Sequence, residues 1–143
     1  MLLLFGILYG MNIFELIIIG AGPAGSSAAV YAGRKQIKTL LTTFEFGGQS
    51  VVSEDIQNWI GTPHIHGADL AKSLKNHVKE STGEYVTIWE NKKVTNVVQN
   101  EDKTFTITQD DGSTATSKAL LITAGSLRKN YQLWELTDLN TKG

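Results

Sequence analysis

The glycines Gly20, Gly22 and Gly25 form the pattern G-x-G-x-x-G directly after the apolar run Leu16–Ile19. This spacing binds the diphosphate of a dinucleotide when it joins a buried strand to a helix. The first glycine permits a tight turn, the second lets the backbone approach the diphosphate, and the third lets helix and strand pack closely. The helix amino terminus adds unpaired N–H groups and a partial positive charge. We therefore predict a dinucleotide-binding loop formed by Gly20, Ala21, Gly22, Pro23, Ala24 and Gly25.

The position that usually binds the ribose lacks its acid. The fingerprint expects Asp or Glu about 20 residues further on, at the end of the second strand. Thr42 and Thr43 hold this position, and the nearest acid is Glu45. A threonine hydroxyl can bond a ribose, but more weakly than a carboxylate, because it lacks the charge-assisted contribution. The motif by itself leaves FAD and NAD(P) both open.

A β-α-β pattern surrounds the loop. Leu16–Ile19 has no polar alternation, as in a strand buried on both faces of a parallel sheet. Pro23–Arg34 is rich in small residues, begins with proline and ends in basic residues, which predicts a helix. Lys38–Thr43 predicts a second strand, and Ala68–Glu80 an amphipathic surface helix. Phe44–His66, between them, has no sustained period and is predicted to be a long ordered loop with a functional role.

The second half of the chain changes to a period of two. Tyr85–Trp89 predicts a third parallel strand, and Lys118–Thr123 another buried strand. A small antiparallel set is predicted between them, over Val94–Gln99, Phe105–Thr108 and Thr114–Thr116, with a hairpin turn at Asp111–Gly112. The predicted fold class is α/β: a Rossmann-like FAD/NAD(P)-binding domain with a parallel sheet, the glycine-loop helix on one side and a small antiparallel β layer on the other.

Composition sets limits on function. The chain of 143 residues suits one domain, and its formal net charge of −1 provides no field for nucleic acid or an anionic membrane. It contains no cysteine, which excludes disulfides, thiolate metal sites and thiol nucleophiles within these residues. Leu2–Tyr9 is apolar but too short to cross a bilayer. We therefore interpret residues 1–10 as an extension or a misassigned start, with Met11 the more natural start of a domain over 11–143.

From about Asn12 to Gly143 the chain resembles the opening FAD-binding segment of bacterial thioredoxin reductases and of the flavoprotein subunit of alkyl hydroperoxide reductase. The resemblance lies in IIIGAGPAGSSAAVYAGRK, TLLTTFEFGGQ, IQNWIG, GADLAKSLKNHV and KALLITAGS. GGQ and QNW, at their distance from the glycines, are its most specific parts. The resemblance implies FAD, with the diphosphate in the first glycine loop. It also implies that the segment Thr42–Gln49, including Gly47, Gly48 and Gln49, wraps the ribose and diphosphate, and that Asn58 lies near the flavin.

One departure from the family concerns the triplet that ends a strand near the cofactor. The family has Ala-Thr-Gly, and this chain has Thr123-Ala124-Gly125. The exchange keeps the glycine and the small size but moves the hydroxyl, and we assign Ala124 and Gly125 to the cofactor site. The family also carries a nicotinamide-binding domain with a second glycine fingerprint and a C-x-x-C pair. The chain stops before these, so residues 11–143 are expected to be the first segment of the FAD domain.

The resemblance implies an NAD(P)H-dependent flavoprotein in which hydride passes to FAD and two electrons pass to a disulfide. The implied partner of the parent enzyme is a thioredoxin-like or peroxiredoxin-like protein, in the cytoplasm, and a homodimer is one assembly consistent with it. No residue is assigned as a catalytic acid, base or nucleophile, and none as a metal ligand. This chain alone is expected to be inactive. Two alternatives stay open: a nucleotide-binding module without turnover, and part of a flavin reductase whose acceptor is not a disulfide.

Overall fold

The computed structural model describes residues 13–125. Two helices and six strands follow one another in these bounds: β1 Phe14–Ala21, α1 Pro23–Arg34, β2 Thr39–Phe46, α2 Gly67–Ser81, β3 Val86–Trp89, β4 Val94–Gln99, β5 Phe105–Gln109 and β6 Thr114–Ile122. The predicted bounds of α1 and β4 are confirmed at both ends. The residues predicted to form the amino-terminal extension lie outside the described part of the chain.

All six strands belong to one sheet, in the order β3-β2-β1-β6-β5-β4. The pairs β3 with β2, β2 with β1 and β1 with β6 are parallel, whereas β6 with β5 and β5 with β4 are antiparallel. The predicted α/β class, with a parallel sheet and a small antiparallel part, is confirmed. Its consequence for the site is that β2, β1 and β6 lie side by side and end at the same edge.

Strand β6 corrects one prediction. The sequence pattern indicated two separate strands, over Thr114–Thr116 and Lys118–Thr123, but a single strand runs through Ser117. Its first half pairs antiparallel with β5, and its second half pairs parallel with β1. Ser117 ended the apolar pattern in the sequence. In the structure it is fully buried, and its hydroxyl donates to the carbonyl of Ala119 at 2.7 Å, so no break in the strand is needed.

The core lies on both faces of the sheet. Ile18 and Leu41 pack with side chains of α1 and α2 on one face. Ile17 and Leu40 pack with Ile107 of β5 and with other side chains of the antiparallel strands on the opposite face. Consecutive isoleucines of β1 are therefore buried in opposite directions, which explains the lack of polar alternation.

The segment predicted as a long ordered loop contains short regular elements that the sequence pattern did not indicate. Strand β2 extends to Phe46, and a short 3-10 helix follows over Gly48–Val52. Isolated bridges then join Ile56 to Ile65 and Trp59 to Thr62. The sequence pattern missed these features because two-residue bridges and single helical turns are too short to show a period.

Helix α2 has the predicted amphipathic character. Leu70, Leu74 and Val78 are buried, and the Nδ1 of His66 accepts a hydrogen bond from the backbone N–H of Ala68 at 3.3 Å, which caps the first turn. Neither helix within residues 13–125 is long and apolar enough to cross a membrane.

Candidate functional site

The carboxyl ends of β1, β2 and β6 meet at one edge of the sheet, where open parallel sheets bind ligands. The amide of Gly47, after β2, donates to the Ala21 carbonyl at 2.9 Å. On the other side, the amide of Thr123, after β6, donates to the Ile19 carbonyl at 2.8 Å. The structure thus brings together the glycine loop, the Gly47–Gly48 pair and the start of the Thr123–Gly125 triplet.

The glycines of the fingerprint meet different surroundings. Gly20 has a φ of 101°, and a Cβ there would lie 2.5 Å from the carbonyl oxygen of Thr123. A Cβ on Gly25 would overlap the carbonyl oxygen of Gly20. Gly22 differs, because a Cβ there would contact only the Gly47 carbonyl oxygen, at 3.8 Å. Gly20 and Gly25 therefore serve the tight turn and the close packing predicted for them, while a Cβ on Gly22 would make only an ordinary van der Waals contact.

Helix α1 begins directly after Gly22. Gly22 is its N-cap and Pro23 its first residue, and the first hydrogen bond of the helix runs from the Ser26 amide to the Gly22 carbonyl at 2.9 Å. The amides of Gly22, Ala24 and Gly25 precede that bond, so they have no intrahelical acceptor. No acidic side chain lies in the first turn. The loop therefore offers backbone donors, and the partial positive charge of the helix, to an anion.

The Gly47–Gly48 pair lies opposite Gly22. Both residues have positive φ, 85° and 54°, a conformation that glycine adopts without steric cost. A Cβ on Gly47 would lie 2.5 Å from the Cβ of Ala71, so the absence of a side chain also lets α2 approach. A Cβ on Gly48 would reach no closer than 3.8 Å to the Cα of Gly22. Two bare backbones thus face each other, with no side chain between them.

Thr42 and Thr43 are both buried, and their hydroxyls are engaged. The Thr42 hydroxyl accepts a hydrogen bond from the side-chain amide of Gln109 at 2.7 Å. The Thr43 hydroxyl accepts from the Ala21 amide at 3.2 Å and donates to the Glu45 carbonyl at 2.6 Å. The contact of either threonine with a ribose stays a prediction.

Strand β2 bulges where it passes the glycine loop. Ile19 pairs with Thr42, yet Ala21 pairs with Phe46, so β2 contains extra residues at this point. Phe44 and Glu45 lie in the bulge and are exposed. Bulges re-aim side chains and are common beside binding sites. Glu45 is the exposed carboxylate nearest in sequence to the position where the fingerprint expects one.

The other predicted site residues lie on exposed or half-buried segments. Gln49 is exposed in the 3-10 helix, and Asn58 is exposed in the loop between the two bridges. Ala124 is half-buried, and its Cα would lie 3.2 Å from a Cβ on Gly20. Gly125 follows it, exposed and with a φ of 72°. Their contact with a cofactor stays a prediction.

Two residues that make hydrogen bonds to predicted site residues or to the end of β1 were not predicted from the sequence. Thr123 donates its hydroxyl to the carbonyls of Ile19 and Gly20, at 2.9 and 2.8 Å. Gln109 is buried and bonds Thr42 from 67 positions away. The only sequence signal for Thr123 was the displaced hydroxyl in its triplet, and Gln109 had none.

Serine and histidine side chains that could have suggested phosphate or metal binding make hydrogen bonds to residues near them in the sequence. Ser26 and Ser27 donate to the carbonyls of Ala21 and Pro23, at 3.1 and 2.7 Å. The Nδ1 of His64 lies 3.0 Å from a carboxylate oxygen of Asp55, and hydrogen bonds from Gln57 and His64 lower the pKa of that carboxyl. Within residues 13–125 no cluster of three or more histidines, aspartates or glutamates could hold a metal ion.

Comparison with known proteins points to one family. The family model described as pyridine nucleotide-disulphide oxidoreductase matches residues 14–142. The chain is 30% identical over 130 residues to NADH dehydrogenase of Bacillus subtilis (strain 168), covering 91% of this chain and 25% of the relative. It is 31% identical over 113 residues to a subunit of alkyl hydroperoxide reductase from Xanthomonas campestris pv. phaseoli, covering 79% of this chain and 21% of the relative.

The fold agrees with a solved member of the same group. The structure of Lactococcus lactis thioredoxin reductase in its FR conformation superposes with a TM-score of 0.72 and 28% sequence identity. The superposition covers 83% of this chain and 38% of that one. The chain thus spans about a quarter of the length of the curated relatives it matches.

Proposed function

Since the chain belongs to the pyridine nucleotide-disulphide oxidoreductase family, we propose that it is the FAD-binding portion of an NAD(P)H-dependent flavoprotein resembling thioredoxin reductase. The observation that carries the proposal is that the side-chain-free backbones of Gly22 and of the Gly47–Gly48 pair lie together at the start of α1. Helix α1 begins beside these backbones, its first amides have no intrahelical acceptor, and it stands at the edge where parallel sheets bind nucleotides.

The chain's own residues would hold the cofactor through backbone groups. The amides of Gly22, Ala24 and Gly25 would donate to the diphosphate, and Gly20, Ala21 and Pro23 would set the path of the loop. Gly47, Gly48 and Gln49 would form the opposite wall, with Thr42 and Thr43 at the ribose end. Asn58, Ala124 and Gly125 would line the remaining cofactor surface.

FAD bound in this way would supply the two-electron chemistry, and the residues described here would supply position and a positive local potential. Disulfide reduction also needs a thiolate that attacks the substrate, and none of the 143 residues is cysteine. Hydride delivery needs a nicotinamide held against the flavin. We propose that both parts of the reaction depend on residues other than these 143, and that these 143 residues alone are inactive.

The relatives' names suggest the partners. Alkyl hydroperoxide reductase and thioredoxin reductase both appear among the matches, which supports a thioredoxin-like or peroxiredoxin-like protein as electron acceptor of the parent enzyme. Cytoplasmic location and a homodimer are part of the same proposal.

A second candidate is a flavin reductase whose acceptor is not a disulfide. The observation that favours it is the relative named NADH dehydrogenase, a name that includes no disulfide acceptor. The site described above serves both candidates equally, because neither acceptor contacts the glycine loop in the proposal.

Calorimetric titration with FAD tests the cofactor, with NAD⁺ as the competing dinucleotide. We expect FAD to bind and NAD⁺ to bind more weakly. The FAD-loaded chain is then mixed with NADPH or NADH, with either an aromatic disulfide or ferricyanide as acceptor, and compared with an equal concentration of free FAD. We expect no oxidation above the free-flavin control. Disulfide-dependent turnover well above it would contradict the proposed inactivity, and the absence of FAD binding would contradict the proposed function.

A further inference from the structure

We propose that the hydroxyls of Thr123 and Thr43 are positioning groups, which together hold the peptide between Gly20 and Ala21 in the orientation that a diphosphate needs. The proposal rests on the proposed FAD site. It adds to that site two hydroxyls that bond the loop itself: Thr123, which would act on the cofactor only through the loop, and Thr43, which would also lie at the ribose end.

The two hydroxyls act on opposite ends of one peptide unit. The Thr123 hydroxyl donates to the Gly20 carbonyl at 2.8 Å and shares its proton with the Ile19 carbonyl at 2.9 Å. The Thr43 hydroxyl accepts from the Ala21 amide at 3.2 Å. The carbonyl and the amide of the same peptide are thus both bonded to a threonine. Gly20 alone could not fix this orientation, because glycine reaches many backbone conformations at little cost.

This arrangement completes a pattern along the loop. The Ala21 carbonyl accepts from the Ser26 hydroxyl at 3.1 Å and from the Gly47 amide at 2.9 Å. The Gly22 carbonyl accepts from the Ser26 amide. Every carbonyl from Ile19 to Gly22 is therefore engaged by a donor of the protein.

The consequence is electrostatic. A carbonyl oxygen turned toward a diphosphate would repel it, whereas the amides at the start of α1 attract it. Holding the Gly20 carbonyl on Thr123 leaves the loop with donors for the ligand and no competing acceptor. Because these hydrogen bonds exist before binding, ligand binding does not include the free-energy cost of ordering the loop.

The Thr123 hydroxyl also lies close to the start of helix α1. A Cβ on Gly25 would lie 2.5 Å from the Thr123 oxygen, so the hydroxyl occupies the space beside the third glycine of the fingerprint.

The test compares Thr123→Ala, Thr123→Ser and the unchanged full chain. We measure FAD affinity by calorimetry and the phosphorus NMR shifts of the bound diphosphate at saturation. Thr123→Ala is expected to bind FAD about fivefold more weakly, the equivalent of one net hydrogen bond, and to shift the phosphorus resonances. Thr123→Ser keeps the hydroxyl and is expected to restore both values.

Thr82→Ala is the matched control. The Thr82 hydroxyl is buried and donates to the Val78 carbonyl at 2.7 Å, and Thr82 lies beside Gly33, near the far end of α1. We expect its loss to lower stability while leaving FAD affinity and the phosphorus shifts unchanged. If Thr123→Ala does not fold, Thr123→Val, which keeps the shape of the side chain and removes its hydroxyl, is expected to give the same loss.

The outcomes separate the two proposals. If the unchanged chain binds FAD and the folded Thr123→Ala chain, or its Thr123→Val substitute, binds it equally with the same phosphorus shifts, the positioning role is wrong and the FAD site stands. If the unchanged chain does not bind FAD, the proposed function is wrong, and the positioning role is overturned with it.

Discussion

At the scale of single residues, substitutions at Gly22 and Gly25 are expected to separate the effect on FAD binding from the effect on stability. A Cβ on Gly22 would make an ordinary van der Waals contact, with its nearest neighbour, the Gly47 carbonyl oxygen, at 3.8 Å. We predict that Gly22→Val abolishes FAD binding, because the branched side chain fills the gap that the diphosphate needs, and costs only about 1 kcal/mol of stability. Calorimetric titration with FAD and urea unfolding measure the two effects. Undiminished FAD affinity in the folded variant would remove this loop from the site.

Gly25 gives the opposite pattern and serves as the comparison. A Cβ there would overlap the Gly20 carbonyl oxygen, so helix α1 would have to move away from β1. We predict that Gly25→Ala lowers the free energy of unfolding by about 3 kcal/mol, as overpacking of a tight contact does. Urea unfolding measures it, and an unchanged midpoint would show that α1 does not need this close approach.

At the scale of elements, one buried hydrogen bond joins the antiparallel strands to the parallel sheet. The side-chain amide of Gln109 in β5 donates to the Thr42 hydroxyl in β2, and both residues are at most 2% exposed. We predict that Thr42→Val lowers stability by about 1 to 3 kcal/mol, because the Gln109 amide loses its acceptor in the core.

The double substitution is the control. Gln109→Leu combined with Thr42→Val replaces both partners with apolar groups, so we expect the double variant to recover part of that loss. Urea unfolding of the single and double variants gives the interaction free energy between the two side chains. Strictly additive losses would show that the two side chains do not stabilise each other.

The Asp111 carboxyl, in the turn between β5 and β6, leads to a prediction about stability at low pH. A hydrogen bond from Lys92, at 2.6 Å, and further hydrogen bonds from Ser113 lower the pKa of Asp111 below its usual range. A carboxyl whose pKa is lower in the folded state contributes stability above its unfolded pKa, near 3.8, and loses that contribution as the pH falls below it. We expect Asp111→Asn to flatten this part of the dependence of stability on pH. Urea unfolding between pH 5 and pH 2 measures it, and parallel curves for the two proteins would contradict it.

At the scale of the whole molecule, residues 1–10 are predicted to be dispensable. They precede β1, and the sheet described for residues 13–125 is continuous without them. A chain that starts at Met11 is expected to show the same thermal midpoint and the same FAD affinity as the full chain. A shortened chain that fails to fold would show that MLLLFGILYG packs as part of the domain.

The sequence determined the parts of this protein that depend on neighbouring residues. The steric needs of a strand-to-helix turn placed the glycines, and Pro23–Arg34 has the predicted bounds because a helix start, small residues and a basic end lie within one short stretch. The period of α2 and the hairpin turn after β5 are equally local. These features allowed the fold class and the position of the glycine loop to be predicted.

The tertiary structure decided which distant side chains hold that loop. Thr123 contacts Gly20 from 103 positions away, and Gln109 contacts Thr42 from 67. These contacts exist because β6 lies beside β1 and because the antiparallel strands cover one face of the parallel sheet. A periodic pattern records which face of a strand is buried, but not which strand lies next to it. The sequence therefore predicted a dinucleotide loop, and only the packing showed that the hydroxyls of Thr123 and Thr43 bond the peptide between Gly20 and Ala21.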